Sequence, residues 1–362
     1  MPLPVLSPSA TVLWWLVCFL SAVGVTGQAP VRSTVVDAVT GQPVPFATAY
    51  FDGTTLGTVT DEAGEFTLPA PPASGATLAV THIGYRSYRL RLTGKTAPRR
   101  IRLEPVPTVT VTVEVEDRNN RENNLREFRE RYLGKDEWGR RARIKNEAAL
   151  QFERNYDNDT LPDARPTDLR ARSLAPLEID LPDLGYRVLV DLIHFVADYR
   201  TGGVRFLASY FYQPYEGKGS TQARHARNRR TAYYNSPQHF LRALYRDSLE
   251  AEGFAVYTDN GRAIVPIELS RYVRPGSEQG HKIIRGLRDR EIIILYYGDR
   301  EGHPLPPGKR FLRSPESSRM QVPITGTTFR TDGTMPNNPL VFAGALGRVT
   351  LSSMLPSDYV PD

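Results

Sequence analysis

Short apolar segments of β-forming residues, separated by turns, dominate the pattern of residues 29–104. The turns recur at intervals of about 8 to 12 residues, a spacing typical of a β-sandwich. Phe66 and Leu68, for example, alternate with polar residues and so share one face of a strand. The segment 61–65, Asp-Glu-Ala-Gly-Glu, has the composition of a turn, in which an aspartate accepts hydrogen bonds from nearby backbone amides. We therefore predict a β-sandwich in which the acidic residues of this segment belong to a turn, not to a catalytic or calcium site.

A period-two pattern continues through residues 105–117, PVPTVTVTVEVED, which predicts a final strand or an extended linker. A helix is predicted next, with Asn119 or Asn120 as its N-cap and Gly134 at its end. Its apolar side chains fall on one face of that helix, namely Leu125, Phe128, Tyr132 and Leu133. Residues 105–145 are therefore interpreted as a linker strand followed by a basic helix.

Strand patterns return in residues 146–362 and surround one strong helix pattern. The predicted strands are 148–156, 168–181, 185–199, 203–215, 254–257, 291–297, 320–330 and 341–351. The helix is predicted to begin after the N-cap Ser236 and to end at Gly253. Its buried stripe consists of Phe240, Leu241, Leu244, Tyr245 and Leu249. The predicted fold is thus mainly β: an N-terminal β-sandwich followed by a strand-rich α+β C-terminal domain with two or three helices.

Composition supports a folded protein of about two domains. Hydrophobic residues make up 40% of the 362 residues and charged residues 24%, as in globular proteins. The net charge is +6, and only six of the 46 basic residues are lysine. Arginine matches carboxylates and phosphates, so an anionic polymer is one candidate partner, and a general preference for arginine over lysine is the alternative.

The N-terminus predicts export. Residues 12–25 form an apolar run that is shorter than the ~20 residues of a membrane-spanning helix, and small residues follow it before Gln28. This pattern is typical of a signal peptide over residues 1–27, with an uncleaved N-terminal anchor as the alternative. The only cysteine, Cys18, lies within the run, so disulfides and cysteine ligands are excluded from the mature chain. An exported protein rarely meets nucleic acid, and we expect no nucleic-acid partner.

Three groups of residues in the sandwich carry a resemblance to a known domain family. They are Asp37, Gly41, Pro43 and Ala47; Thr60, Asp61, Gly64 and Phe66; and Ile83, Gly84 and Tyr85. This stretch resembles the carboxypeptidase-regulatory-like domain of envelope proteins from Bacteroidetes-type bacteria, including many TonB-dependent receptors. The resemblance implies a seven-stranded, transthyretin-like sandwich without catalytic residues, so the family name does not imply peptidase activity.

The second half of the chain resembles a family of short envelope proteins with the same N-terminal sandwich. The matching residues are Arg229, Arg230, Ala232, Tyr233, Tyr234, Ser236, His239, Phe240, Leu241, Gly253, Phe254, Met354, Leu355, Pro356, Asp358 and Tyr359. No activity is established for that family. The resemblance therefore implies an architecture and a location but no mechanism.

A basic and aromatic cluster just before the strong helix is the candidate ligand-binding site. Its members are Arg224, Arg227, Arg229, Arg230, Tyr233 and Tyr234. Arginine forks and tyrosine faces suit an acidic sugar or a phosphate. The alternative is structural, with the arginines paired to local carboxylates above a docked helix.

The sequence contains no recognisable catalytic or metal-binding motif. The six histidines are too far apart for a zinc pair, and there is no nucleophile elbow or phosphate-binding loop. The loop 155–159 alternates oxygen-bearing side chains as a calcium loop does, but Thr160 and Pro166 replace the glycine and glutamate that such a loop requires. A hairpin is the preferred interpretation. We expect no catalytic residues, no metal and no cofactor.

The leading functional hypothesis is a non-catalytic protein of the periplasm or outer membrane with a binding or structural role. Its candidate partners are peptidoglycan, lipopolysaccharide or an outer-membrane protein. An envelope hydrolase that acts on glycan or peptide through dispersed carboxylates is the alternative. A component related to TonB-dependent receptor systems is the third hypothesis, although a complete receptor would need far more chain than follows the sandwich.

Overall fold

The computed structural model of the protein describes residues 29–72, 74–93, 97–106, 118–157, 164–259, 261–287, 290–299, 301–312, 314–336 and 339–361. The predicted signal peptide (1–27) and residues 107–117 of the predicted linker strand lie outside the described residues. None of the helices within these ranges has both the length and the apolar character that a membrane span requires.

Seven strands form two sheets at the N-terminus. They are β1 (Val31–Asp37), β2 (Thr48–Phe51), β3 (Gly57–Val59), β4 (Glu65–Leu68), β5 (Thr77–Thr81), β6 (Tyr88–Arg91) and β7 (Arg100–Leu103). One sheet has the order β4-β1-β7 and the other the order β3-β2-β5-β6. Val35, Phe51 and Leu78 are fully buried in the core between them. The predicted seven-stranded β-sandwich is confirmed.

The acidic segment after β3 is a turn, as predicted. The Asp61 carboxylate accepts hydrogen bonds from the backbone amides of Ala63 at 3.0 Å and Glu65 at 2.8 Å. Gly64 has a φ of 73°, a conformation that glycine adopts without strain. The side chains of Asp61 and Glu65 are exposed. Asp61 lies in the turn between β3 and β4, and Glu65 is the first residue of β4.

The basic helix and a second sheet follow the sandwich. Helix α1 (Arg118–Phe128) continues as a π-helix (Arg129–Leu133) and ends at Gly134, where the prediction placed the end. A short helix α2 (Glu137–Arg141) leads into a six-stranded sheet. Its strands are β8 (Arg143–Ile144), β9 (Leu150–Tyr156), β10 (Pro166–Ser173), β11 (Leu177–Leu181), β12 (Tyr186–Asp198) and β13 (Val204–Pro214).

The predicted strand 168–181 is two strands, β10 and β11. Both are antiparallel to β12, β11 along its first half and β10 along its second half. The segment between them contains Pro176, which has no N–H to donate to the sheet, and the register with β12 shifts by one residue between Ala171↔Phe195 and Leu177↔Val190. Strands β9 and β10 pair as an antiparallel hairpin, which is the interpretation preferred for the loop 155–159. Residues 158–163 of the connection lie outside the described part.

The last third of the chain has its own core. Helices α3 (Ser220–Tyr233) and α4 (Pro237–Arg246) precede two small sheets. The strands are β14 (Phe254–Asp259), β15 (Ile264–Pro266), β16 (Val273–Pro275), β17 (His281–Ile284), β18 (Ile292–Tyr296), β19 (Glu316–Gln321), β20 (Thr327–Arg330) and β21 (Val341–Gly344). The sheet orders are β15-β14-β18-β19-β21 and β16-β17-β20. The strand-rich α+β class is confirmed, although α2 and α3 were not predicted.

Three boundaries in this region were predicted wrongly. Helix α4 is capped by Ser236 as predicted, but it ends at Arg246 because Asp247 adopts the left-handed conformation with a φ of 55°. The predicted strand 320–330 is split into β19 and β20 by a turn in which the Gly326 amide bonds the Pro323 carbonyl. The predicted strand 341–351 ends at Gly344, whose φ is 77°.

The sandwich is fixed to the rest of the protein through the loop after β2. The Gly53 amide donates to the Tyr210 carbonyl at 2.8 Å, and the Tyr212 amide donates to the Thr54 carbonyl at 3.0 Å, so this loop pairs with the free edge of β13. Beside it, the ring of Tyr50 stacks on Phe211 with centroids 5.2 Å apart. Backbone pairing and aromatic burial together hold the sandwich in place.

Candidate functional site

The predicted basic and aromatic cluster lies on helix α3 and in the link to α4. The four arginines and Tyr233 belong to α3, and Tyr234 is its C-cap residue. The sequence pattern did not predict this helix, because its only buried side chains are His225 and Tyr233 and it lacks an apolar stripe. Tertiary contacts hold it in place instead.

Arg229 is a structural residue. Its Nε donates to the Leu184 carbonyl at 2.7 Å and its Nη2 to the Gly185 carbonyl at 3.1 Å. Its guanidinium also lies 4.0 Å from the centroid of the Tyr186 ring. The partners are backbone carbonyls and an aromatic ring rather than the carboxylates of the structural alternative. Arg229 therefore ties α3 to the turn before β12.

The two tyrosines of the cluster pack inside the protein. Tyr233 is buried and its ring lies 5.4 Å from the guanidinium of Arg242. Tyr234 is half-buried and its ring contacts His239 and His303 at centroid distances of 5.3 and 5.2 Å. Burial raises the pKa of the Tyr234 hydroxyl, and the nearby Glu252 carboxylate adds to this. Neither ring offers a free face of the kind that a stacking ligand requires.

The remaining three arginines of the cluster differ in their surroundings: the Nε of Arg230 is buried, and its positive charge opposes the rise in the pKa of the Tyr234 hydroxyl. Arg224 and Arg227 are exposed and Arg230 is half-buried. They are spaced three residues apart, so they occupy adjoining positions on one side of the helix. In the part of the chain that the structure describes, none of the three forms a salt bridge. We call Arg224, Arg227 and Arg230 the outer arginine face.

A small cavity of 290 Å³ lies on the other side of α3, against Arg229. It is lined by residues of the sandwich, β12, α3 and the C-terminal segment, including Thr55, Tyr186 and Asp358. The Asp358 carboxylate accepts from the Thr55 hydroxyl at 2.5 Å and from the Thr55 amide at 3.1 Å. This carboxylate therefore joins the C-terminal segment to the sandwich. The pattern Asp358-Tyr359 was visible in the sequence, but its partner, about three hundred residues away, was not.

The pair formed by the buried His239 and the half-buried Glu252 is the arrangement closest to a catalytic one. The His239 Nε2 lies 3.1 Å from a Glu252 carboxylate oxygen, while Nδ1 accepts from the backbone amide of Asn235 at 3.2 Å. Burial lowers the pKa of the His239 ring, which is only 1% exposed. Both ring nitrogens are engaged, so this histidine cannot take a proton from a substrate in the observed geometry. The described ranges also contain no group of three side chains that could hold a metal ion.

The N-terminal part matches the family model of the CarboxypepD_reg-like domain over residues 31–114. The fold and the match together define an accessory class of domain, a regulatory-like β-sandwich rather than a catalytic fold. The chain is a carboxypeptidase-regulatory-like domain-containing protein.

Similarity to other proteins is weak beyond this domain. None of the curated proteins matches this chain. One crystal structure with some similarity is that of a protein of unknown function from Bacteroides fragilis NCTC 9343, described as membrane-associated. It is 13% identical, and the alignment covers 52% of this chain and 83% of that one. The TM-score is 0.18, so this similarity carries no argument about fold or function.

Proposed function

We propose that this protein is a non-catalytic accessory protein of the cell envelope that binds an anionic polymer through the outer arginine face. The carboxypeptidase-regulatory-like domain supports an accessory role. The observation that carries the binding role is the set of arginines on α3 that form no salt bridge within the described residues, beside Arg229, which anchors the helix.

The energetics favour a polymer over a small anion. A contact between an exposed arginine and one carboxylate or phosphate contributes only about 0.2–1 kcal/mol. A polymer presents many such groups, so neighbouring contacts form at a high effective concentration and their contributions combine. Peptidoglycan and lipopolysaccharide both carry repeated anionic groups. An outer-membrane protein with an acidic surface is the alternative partner.

Replacement of both Arg224 and Arg227 by alanine is expected to weaken binding to isolated peptidoglycan or lipopolysaccharide about tenfold at low salt, because two charge-assisted contacts of up to about 1 kcal/mol each are lost. Co-sedimentation at low and high salt measures both the affinity and its salt dependence. The double variant should also show a weaker salt dependence than the original protein, since fewer charges take part.

The matched control is the double variant Arg200→Ala with Arg205→Ala. These two arginines are exposed near the β12–β13 connection, so the control loses the same net charge at a distant place. Equal losses in both double variants would contradict the proposal, because they would reflect net charge alone. Release of soluble fragments from peptidoglycan would instead support the envelope hydrolase.

Export is the second part of the proposal. The predicted signal peptide implies that the mature chain begins near Gln28. Intact-mass measurement of the protein purified from the envelope fraction of its own cells should give the mass of residues 28–362. A mass that includes residues 1–27 would support the uncleaved anchor.

A further inference from the structure

A cleft of 830 Å³ lies in the last third of the chain, where β14 and β15 approach the short 3₁₀ helix Leu269–Tyr272. Ligand sites of proteins typically measure about 300–1,000 Å³. The cleft is remote from the outer arginine face in sequence, and none of its lining residues belongs to α3. It is therefore a separate candidate site.

Two tyrosines line this cleft, Tyr257 on β14 and Tyr272 at the end of the 3₁₀ helix. Both side chains are half-buried. Within the described residues neither ring contacts another aromatic ring, in contrast to Tyr233 and Tyr234, whose rings contact each other. A tyrosine ring combines an apolar face with a polar hydroxyl, so it can pack on a ligand and bond to it.

The charged side chains of the cleft balance in sign. The lining includes the acidic residues Asp247, Glu250 and Glu268 and the basic residues Arg271, Arg290 and Arg310. Arg271 pairs with Glu268 at 2.6 Å, and the Arg290 guanidinium donates to the Tyr272 hydroxyl at 3.3 Å. With three groups of each sign the cleft has no net charge that would select an ion. Planar carboxylates and guanidinium groups do, however, offer paired acceptors and donors to ligand hydroxyls.

An extended peptide fits this cleft less well. Strand β14 is paired with β15 on one side and with β18 on the other, so its backbone cannot accept an added strand. Strand β15 has three residues and ends at Pro266, which has no backbone N–H. Backbone recognition, the usual source of affinity for an extended peptide, is therefore limited to a very short edge.

We propose that the cleft binds an uncharged oligosaccharide. The rings of Tyr257 and Tyr272 would pack against the C–H faces of sugar rings, and the charged groups that line the cleft, among them Glu250 and Arg290, would bond to the hydroxyl groups. This site does not depend on the outer arginine face, and it assigns the last third of the chain a ligand class different from the anionic polymer.

The test is an NMR titration of the full mature protein with three uncharged tetrasaccharides: chitotetraose, cellotetraose and maltotetraose. At least one is expected to shift resonances of the residues that line the cleft, with an affinity that does not change with salt. Tyr257→Ala should weaken this binding about tenfold or more, and Tyr272→Phe, which keeps the ring, should weaken it less. Tyr156→Ala, on β9 in another sheet, is the matched control and should bind as the original protein does.

Two results would contradict the proposed oligosaccharide site. If none of the tetrasaccharides shifts cleft resonances at millimolar concentration, or if Tyr257→Ala and Tyr156→Ala bind equally, the proposal is wrong. Shifts caused by an uncharged tetrapeptide in place of the sugars would assign the cleft to peptide instead. The double variant Arg224→Ala with Arg227→Ala should retain full sugar binding. The test of the cleft is therefore independent of whether the outer arginine face binds an anionic polymer.

Discussion

Replacement of Arg242 by alanine is expected to lower the free energy of unfolding by about 3 kcal/mol or more, because three backbone carbonyls lose their donors. Arg242 lies on α4 and is only 5% exposed. Its guanidinium donates to the carbonyls of Asp332 at 3.0 Å, Tyr359 at 2.8 Å and Ser357 at 2.8 Å. These three hydrogen bonds are partly buried, and a buried carbonyl left without a partner costs about 1–3 kcal/mol.

The C-terminal segment should be released in this variant. Residues 356–359 also contact the sandwich, through the Ser357 amide to the Gly53 carbonyl at 2.7 Å and through Asp358 to Thr55. Chemical denaturation measures the loss of stability, and limited proteolysis should show faster cleavage after residue 354. Because the segment bridges two modules, we expect the sandwich to become less firmly attached as well.

Arg246→Ala is the matched control for Arg242→Ala. Arg246 lies one turn further along α4 and is exposed, so its removal should change stability by no more than about 0.5 kcal/mol. Arg242→Lys should fall between the two, since a lysine keeps the charge but cannot reach three carbonyls with a planar fork. Equal stability of the two alanine variants would show that water replaces the donors of Arg242.

Gly57→Ala is expected to destabilise the contact between the sandwich and β13. A Cβ atom at this position would lie 2.3 Å from two carbons of the Phe211 ring. That ring is buried and stacks on Tyr50, so it has little room to move. Overpacking of this kind costs about 1–3 kcal/mol. The expected results are a lower melting temperature and, in small-angle scattering, a more extended particle.

The control for this clash is Gly308→Ala, where an added Cβ would have no atom within 4 Å. A rescue experiment sharpens the test: Phe211→Leu removes the ring that the new methyl group would strike. The double variant Gly57→Ala with Phe211→Leu should therefore be less destabilised than the sum of the two single variants. Strict additivity would mean that the glycine is needed for a reason other than contact with Phe211.

The candidate site was predicted as one cluster, and the structure separates its residues into anchored or buried ones and exposed ones. All six residues come from one short segment, so their proximity could be predicted from the sequence. Their roles could not, because each depends on partners from elsewhere in the chain. Arg229 meets the carbonyls of Leu184 and Gly185, some 45 positions away, whereas Arg224 and Arg227 are exposed. The cleft beside Tyr257 had no signal in the sequence, since its walls come from several separate segments.

Local chemistry explains what the sequence determined by itself. The period-two pattern and the turn at Asp61 specify strands and their connection through contacts between near neighbours, and the cap at Ser236 starts α4 in the same way. These features need only a few residues, so they can be recognised before the fold is known. The seven-stranded sandwich followed from them and from the family resemblance.

Long-range pairing decided the rest. The segment 320–330 was predicted as a single strand, yet its first residues belong to β19, which pairs with β18, and its last to β20, which pairs with β17 in a different sheet. Helix α3 has too few apolar side chains to dock by burial alone. It is held by Arg229 and by Asn228, whose side-chain amide donates to the Asp183 backbone carbonyl at 2.9 Å. Hydrogen bonds to carbonyls brought close only by folding leave no periodic pattern in the sequence, which is why the tertiary structure alone determined which arginines are anchored and which remain exposed.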